Sequence, residues 1–228
     1  MIIPDYTILI WDDVILETVK RYKTIFVDWA GTLSNSKFWG HWENPSHAQH
    51  PIFKQTQEFI VHPSSFVRDW MRGNHTTEEF VQYVAKEIGH DFTELFDEFV
   101  ISSRNLQFVS KDVLDLIKTH RSYDTQVVIA TDNMDYFPRW VIPTLKLESH
   151  FDAILNSYNL KVLKSDTDTD GKSLFFKDYI KRHAILEGES VLIDDSDITS
   201  IAKTTGMHFL HITPTKNIIF HLRNLLLA

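Results

Sequence analysis

No cysteine occurs anywhere in this 228-residue chain. That absence excludes a disulfide framework, a thiolate zinc site and a cysteine nucleophile, and it matches a reducing cytoplasm. Excess positive charge is missing as well: 23 Lys and Arg against 31 Asp and Glu give a formal net charge of -8. A broad basic surface for nucleic acid is thereby excluded. No run approaches the roughly 18 apolar residues of a membrane span. The opening Met1-Ile2-Ile3-Pro4-Asp5 lacks the basic and then apolar pattern of a secretory signal. The expectation is a soluble, cytoplasmic protein with neither nucleic acid nor membrane as partner.

What is present is ordinary for a globular protein: 43% hydrophobic and 24% charged residues. A chain of this length can bury a core without disulfides or structural metal, either as one large domain or as a core with a smaller insert. Residues 5–22 read as a short helical lead-in, with Val14, Ile15, Val19 and Tyr22 at near-helical spacing. A β-prone run, Ile25-Phe26-Val27, then drives into Asp28, followed by Gly31 at a tight turn and the hydroxyl of Thr32.

From Ser34 to about Gln107 the texture is helical. Helices are predicted over 51–61, over 64–72 with Gly73 as its stop, and over 93–102. Thr76-Thr77-Glu78-Glu79 is a capping box for a helix that carries Phe80, Val81, Val84 and Ile88 and ends at Gly89. Strands and helices alternate from there. Ser110 can cap a helix bearing Val113, Leu114 and Ile117; apolar strands follow at 126–131, 152–155, 190–195 and 208–212. Helices are expected over 173–184, 198–205 and 215–227. The pattern predicts an α/β fold: a Rossmann-like parallel sheet with helices on both faces and an inserted all-helical cap. The expected division is a catalytic core of 1–33 and 108–228, and a cap of 34–107.

Three of these strands end in polar groups suited to one reaction: Asp28, Thr131, and the pair Asp194 and Asp195. In a parallel sheet such ends share one edge. A lysine between the second and fourth strands would complete the set. The combination resembles the haloacid dehalogenase-like hydrolase superfamily. The family's first motif, a strand and then Asp-x-Asp-Gly-Thr, is similar to Asp28-Trp29-Ala30-Gly31-Thr32-Leu33. The second, a strand ending in Ser or Thr, is similar to Val127-Val128-Ile129-Ala130-Thr131; the fourth, to Val191-Leu192-Ile193-Asp194-Asp195-Ser196-Asp197. The third motif is little more than a lysine at the right distance from Phe151-Asp152-Ala153-Ile154-Leu155-Asn156-Ser157. Lys164 stands at that distance, with Lys161 as the alternative.

The resemblance implies that Asp28 is a nucleophile forming an aspartyl-phosphate. It implies Mg²⁺ held by Asp28, the Ala30 carbonyl, Asp195 and Asp194, with Thr131 and Lys164 on the phosphoryl oxygens. Gly31, Thr32 and Asn133 are the further substrate-binding candidates, and Asp197 a candidate to orient water or the lysine. The implied substrate is a small phosphorylated or phosphonate metabolite. One departure is plain: phosphatases of the family carry a second Asp two residues after the nucleophile as general acid, where this chain has Ala30. Asp-Trp-Ala-Gly-Thr resembles the first motif of phosphonoacetaldehyde hydrolases, which cleave a carbon–phosphorus bond through an imine to a cap lysine. Lys37, Lys54 and Lys86 lie in the insert, and no pattern singles one out. Three readings therefore stand: phosphoester hydrolase, phosphonate hydrolase, and a non-catalytic ligand-binding member. Oligomeric state is left open.

Other constellations read as structure. Phe38, Trp39 and Trp42 fit packing between cap and core. His41, Glu43, His47 and His50 match no metal-site spacing. Asp166-Thr167-Asp168-Thr169-Asp170-Gly171 opens like a calcium loop, but its twelfth position is Lys177. Gly171-Lys172-Ser173 lacks the earlier glycine of a phosphate loop. Both belong to a solvated acidic loop.

Overall fold

The computed structural model describes residues 21–61 and 65–227. The helix expected over 5–22 lies outside the described residues, apart from its last two positions. Five strands form one sheet in the order β3-β2-β1-β4-β5: β1 Thr24–Val27, β2 Gln126–Thr131, β3 Ala153–Asn156, β4 Ser190–Asp194 and β5 His208–His211. Every neighbouring pair is parallel.

The alternation within each strand explains how the sheet is covered. Ile25 and Val27, Val127 and Ile129, Val191 and Ile193 point to one face and join the larger apolar cluster. Phe26, Val128, Ala130 and Leu192 point to the other and join a second cluster. Continuous apolar strands of this kind need helices on both sides. The first face receives α5 Asp112–Ser122 and α11 Ile218–Leu227 through Val113, Ile117, Ile218 and Leu222. The second receives α9 Leu174–Arg182 and α10 Thr199–Thr204 through Phe175, Phe176, Tyr179 and Ala202.

Between β1 and β2 lies a helical block: α1 His50–Val61, α2 Ser65–Met71, α3 Thr77–Ile88 and α4 Phe92–Arg104, with a 3₁₀ turn at Gly40–Trp42. The capping box at Thr76 and Glu79 is formed, and Gly89 ends α3 in the left-handed conformation at φ 67°. Trp39, Trp70, Phe80, Leu95 and Phe99 are wholly buried within it. The Trp39 indole donates to the Leu95 carbonyl at 2.9 Å. The same apolar cluster runs on into the sheet side through Trp29, which meets Phe108 and Phe137 edge-on or tilted at 5.4 and 5.3 Å. Trp39 and Trp42 are buried and Phe38 stacks on Phe99, so all three pack rather than line an open wall.

One stretch departs from the expectation. Residues 132–150 carry no predicted element, yet they hold a π-helical turn at Phe137–Val141, α6 Ile142–Leu145 and α7 Leu147–His150. Pro138 and Pro143 break the backbone pattern, and Lys146 turns the chain in the left-handed region at φ 51°, which divides the segment into short pieces. A fourth short helix, α8 Ser157–Leu160, follows β3.

Candidate active site

The carboxyl ends of β1, β2 and β4 bring together side chains far apart in sequence. The Asp28 backbone N–H donates to the Ile193 carbonyl at 2.9 Å, which fixes the end of β1 beside β4. Beyond it the chain folds into a tight turn: Leu33 and Ser34 N–H both return to the Trp29 carbonyl, at 3.0 and 2.9 Å. Gly31 closes that turn at φ +74°, a conformation that favours glycine. Asp194 is the last residue of β4 and wholly buried, while Asp195 emerges at the surface.

Lys164 reaches into this cluster from the loop between α8 and α9. Its ammonium donates to Asp28 Oδ1 at 3.0 Å and to Asp194 Oδ2 at 2.5 Å, with all three groups buried. Its backbone is held on both sides: the N–H donates to Asp132 Oδ1 at 2.9 Å, and the carbonyl accepts from the Ser173 hydroxyl at 2.9 Å. The alternative, Lys161, is exposed and lies elsewhere; its ammonium donates to the Gly73 carbonyl at 3.2 Å and sits over the Tyr158 ring. Of the two lysines, Lys164 is the one whose ammonium is bonded to Asp28 and Asp194.

Charge is unevenly balanced. Carboxylate oxygens of Asp28, Asp194 and Asp195 all lie within 4.8 Å of one another, with Lys164 the one ammonium bonded to them among the described residues. Burial pushes the Asp28 carboxyl above the ordinary carboxylate range, Lys164 opposes that, and Asp194 adds to it. Partial burial and the Asp194 charge raise Asp195 in the same direction. Burial works against the Lys164 charge, but Asp28, Asp194 and Asp132 outweigh it and hold the lysine protonated. Asp194 is fully engaged, since its second oxygen accepts the Ser196 N–H at 2.8 Å.

Three buried polar atoms in these motifs have no hydrogen-bond partner among the described residues: Thr131 Oγ1, Asn133 Nδ2 and Thr32 Oγ1. Unpaired buried donors are costly, so they mark positions suited to a ligand. The Asn133 backbone is fixed by Ser157, whose hydroxyl accepts its N–H at 2.9 Å. Ala30 is exposed at the mouth of the site. A cleft of about 570 Å³ adjoins it, lined by Gly31, Thr32, Asp195, Asn35 and Ser110 among others.

Other candidates fall away from the cluster. Asp197 accepts the N–H and hydroxyl of Thr199, at 3.2 and 2.7 Å, and is not among the carboxylates bonded to Lys164 in the described residues. His41 pairs with Glu98 at 2.7 Å, and the acidic group formed by Asp28, Asp194 and Asp195 is the metal-compatible cluster among the described residues. In the calcium-like loop Asp168 accepts the N–H groups of Asp170 and Lys172, and Asp166 pairs with Arg72.

Asp132 was not singled out by sequence reasoning, although it adjoins Thr131; its role in seating Lys164 needs the fold. Neither was Asp135, a buried carboxylate that accepts from the Trp70 indole at 2.7 Å, the Thr77 hydroxyl at 2.7 Å and Arg139 at 2.9 Å.

The fold matches solved structures closely enough to name the architecture. A predicted HAD-like family hydrolase from Porphyromonas gingivalis superposes with a TM-score of 0.67 at 20% identity, over 91% of this chain and 98% of that one. The fold is that of the haloacid dehalogenase-like hydrolases. A HAD family enzyme from Bacteroides thetaiotaomicron, solved with magnesium and inorganic phosphate, matches at TM-score 0.60 and 19% identity, over 84% of this chain and 94% of that one. The L-2-haloacid dehalogenase from Xanthobacter autotrophicus matches at 0.58 and 15%, over 84% and 77%. No protein-family model matches the sequence, and a search of curated proteins finds no match. Within the haloacid dehalogenase-like fold, the insert after β1 and the Asp28–Lys164–Asp194 cluster at the sheet edge are the features that bear on chemistry.

Proposed function

We propose that this chain is a cytoplasmic, Mg²⁺-dependent hydrolase of a small phosphorylated metabolite, acting through an aspartyl-phosphate on Asp28. Residues 34–107 serve as its cap, over a core of 1–33 and 108–228. The observation that carries the reading is the buried contact of Lys164 with both Asp28 and Asp194, beside the unpartnered hydroxyl of Thr131.

The donor set fits a hard divalent cation: three carboxylates crowd together with one ammonium to offset them. Asp28, Asp195 and the Ala30 carbonyl would hold Mg²⁺, with Asp194 behind them bonded to Lys164 and Ser196. When bound, the ion screens the negative charge that would otherwise keep a phosphate dianion from a carboxylate. The magnesium and phosphate found in the Bacteroides thetaiotaomicron enzyme support the same choice.

The chain's own groups divide the work. One Asp28 oxygen is held by Lys164; the other attacks phosphorus in line, forming an O–P bond as the bond to the leaving oxygen breaks. Lys164, the Thr131 hydroxyl and the Asn133 amide donate to the phosphoryl oxygens as charge spreads over them. Water then attacks phosphorus and frees Asp28 and inorganic phosphate. Ala30 offers no proton to the leaving oxygen, so that proton comes from solvent at the open mouth.

Cleavage of a phosphonate is the second reading, favoured by the Asp-Trp-Ala-Gly-Thr sequence. It needs a cap lysine able to form an imine, which requires a neutral amine. Lys37, Lys54 and Lys86 are all exposed and none is gathered with the Asp28–Lys164–Asp194 cluster, so the phosphoester reading stands first. The test is a panel of phosphorylated metabolites and phosphonoacetaldehyde, assayed with and without Mg²⁺, with Asp28→Asn as control. Mg²⁺-dependent release of phosphate that Asp28→Asn abolishes is expected. Full turnover by that variant would remove Asp28 as nucleophile, and borohydride trapping of an imine would move the reading to the phosphonate.

A further inference from the structure

The loop that carries Lys164 is tied to the insert as well as to the core. Asp166 closes the loop on itself: its Oδ2 accepts the Leu163 N–H at 2.9 Å, and its own N–H returns to the Leu163 carbonyl at 3.0 Å. The same carboxylate receives Arg72, which follows α2 in the insert. Arg72 Nε donates to Oδ2 at 3.0 Å and Nη2 to Oδ1 at 2.7 Å, a bidentate fork on a half-buried pair. The Arg72 guanidinium holds the Asp166 carboxyl below its ordinary range.

Neighbouring contacts make this a seam. The Ser157 hydroxyl donates to the Met71 carbonyl at 2.8 Å. Lys161 donates to the Gly73 carbonyl, and a methyl group on Gly73 would come within 2.7 Å of the Tyr158 carbonyl. Thus residues 71–73 of the insert are seated directly on residues 157–166 of the core. Among the described residues of that seam, Arg72 is the one that bonds to the turn that bears the lysine.

We propose that Arg72 is a positioning residue: through Asp166 it holds the Lys164 loop in place, so that seating of the insert and placement of the phosphate-binding lysine are one event. The proposal rests on the phosphohydrolase reading for the role of Lys164. The contact itself does not. With the insert displaced, Asp166 loses its fork, the turn at 163–166 is left to its own bonds and those to Asp132 and Ser173, and the ammonium is less firmly directed at Asp28 and Asp194.

The experiment uses the full chain and the variants Arg72→Ala, Asp166→Asn and the double variant. Hydrogen exchange of the Leu163, Lys164 and Asp166 amides is read by mass spectrometry. Binding of Mg²⁺ alone, and of inorganic phosphate with Mg²⁺ present, is read by calorimetry. In Arg72→Ala these amides should exchange about tenfold faster while β1 and β4 stay protected. Phosphate should bind about tenfold more weakly with Mg²⁺ affinity unchanged, because the Mg²⁺ candidates lie outside this loop. The double variant should lose no more than Asp166→Asn alone. Unchanged exchange at 163–166 in folded Arg72→Ala, or equal loss of Mg²⁺ and phosphate binding, would overturn the proposal. A wild-type chain that binds no phosphate would remove the hydrolase reading instead, and the exchange comparison would then decide the coupling by itself.

Discussion

The Asp195 carboxylate rests on the Cα of Gly31: a methyl group built there would lie 2.2 Å from Oδ2 and 2.5 Å from Cγ. The backbone turn after Asp28 and the outermost carboxylate of the cluster therefore share one volume. Gly31→Ala must move one of them, and it also places a side chain at φ +74°. A cost of about 1–2 kcal/mol in stability is expected, read from the urea midpoint. Mg²⁺ binding should weaken at least about tenfold, since displacing Asp195 by an ångström spoils the cluster. Unchanged Mg²⁺ affinity in calorimetry would take Asp195 out of the metal site.

Ala30 bears on the chemical step in a different way. It is exposed beside the nucleophile, so Ala30→Asp adds a carboxyl without repacking the core. A general acid at that position should raise turnover by about 10²-fold for alkyl phosphates, whose leaving oxygen needs a proton. Aryl phosphates, which leave readily as anions, should gain much less. Equal gains for both classes would show that proton donation is not what this site lacks.

A stability effect is expected at two histidines. His120 joins α5 to α11, its Nε2 meeting the Leu222 carbonyl at 2.9 Å. His221 Nε2 meets the His211 carbonyl at 3.1 Å. Burial holds both imidazoles below their ordinary value of 6.5, against the opposing pull of those carbonyls. The fold favours the neutral rings, while the unfolded chain takes up protons near the ordinary value. Their contribution is thus full above 6.5 and is lost as pH falls below it. The raised Asp28 carboxyl runs the other way, gaining stability as pH falls. The informative quantity is therefore the difference between wild type and His120→Gln, whose amide can still donate to Leu222. That variant should be relatively more stable at about pH 5.5 than at pH 7.5; a constant difference in urea midpoint across that range would refute the assignment.

The sheet and the strand-end acids were legible because each rests on a local signal. Ile25-Phe26-Val27, Val127-Val128-Ile129 and Val191-Leu192-Ile193 are buried on both faces and need no tertiary context to be recognised. Thr131, Asp194 and Asp195 then follow from where those runs stop. In the sequence Lys164 stands ahead of Lys161 by its spacing from Ser157 alone, because their further difference lies in which way a loop faces. Asp197 shows the opposite case: an acidic residue in a run of acids, which the fold turns to the N–H and hydroxyl of Thr199. Asp132, Asp135 and Arg72 stayed hidden because each acts through a partner tens of residues distant. The helical pieces at 137–150 were missed because two prolines and a left-handed Lys146 cut the periodicity below one readable helix.

The chain leaves the core and returns to it at neighbouring points. The Leu33 carbonyl accepts the Val109 N–H at 2.9 Å, and the Ser34 hydroxyl donates to the Gln107 carbonyl at 2.6 Å. Entry and exit of the insert are stitched together at Leu33 and Ser34, within the turn that follows Asp28. The block between them is consequently a cassette: lengthening or shortening the loops near Asn44 or Asn105 leaves strand register untouched and alters only the surface the insert presents. Divergence among chains of this architecture would accumulate there, without altering a single residue at the carboxyl ends of the strands.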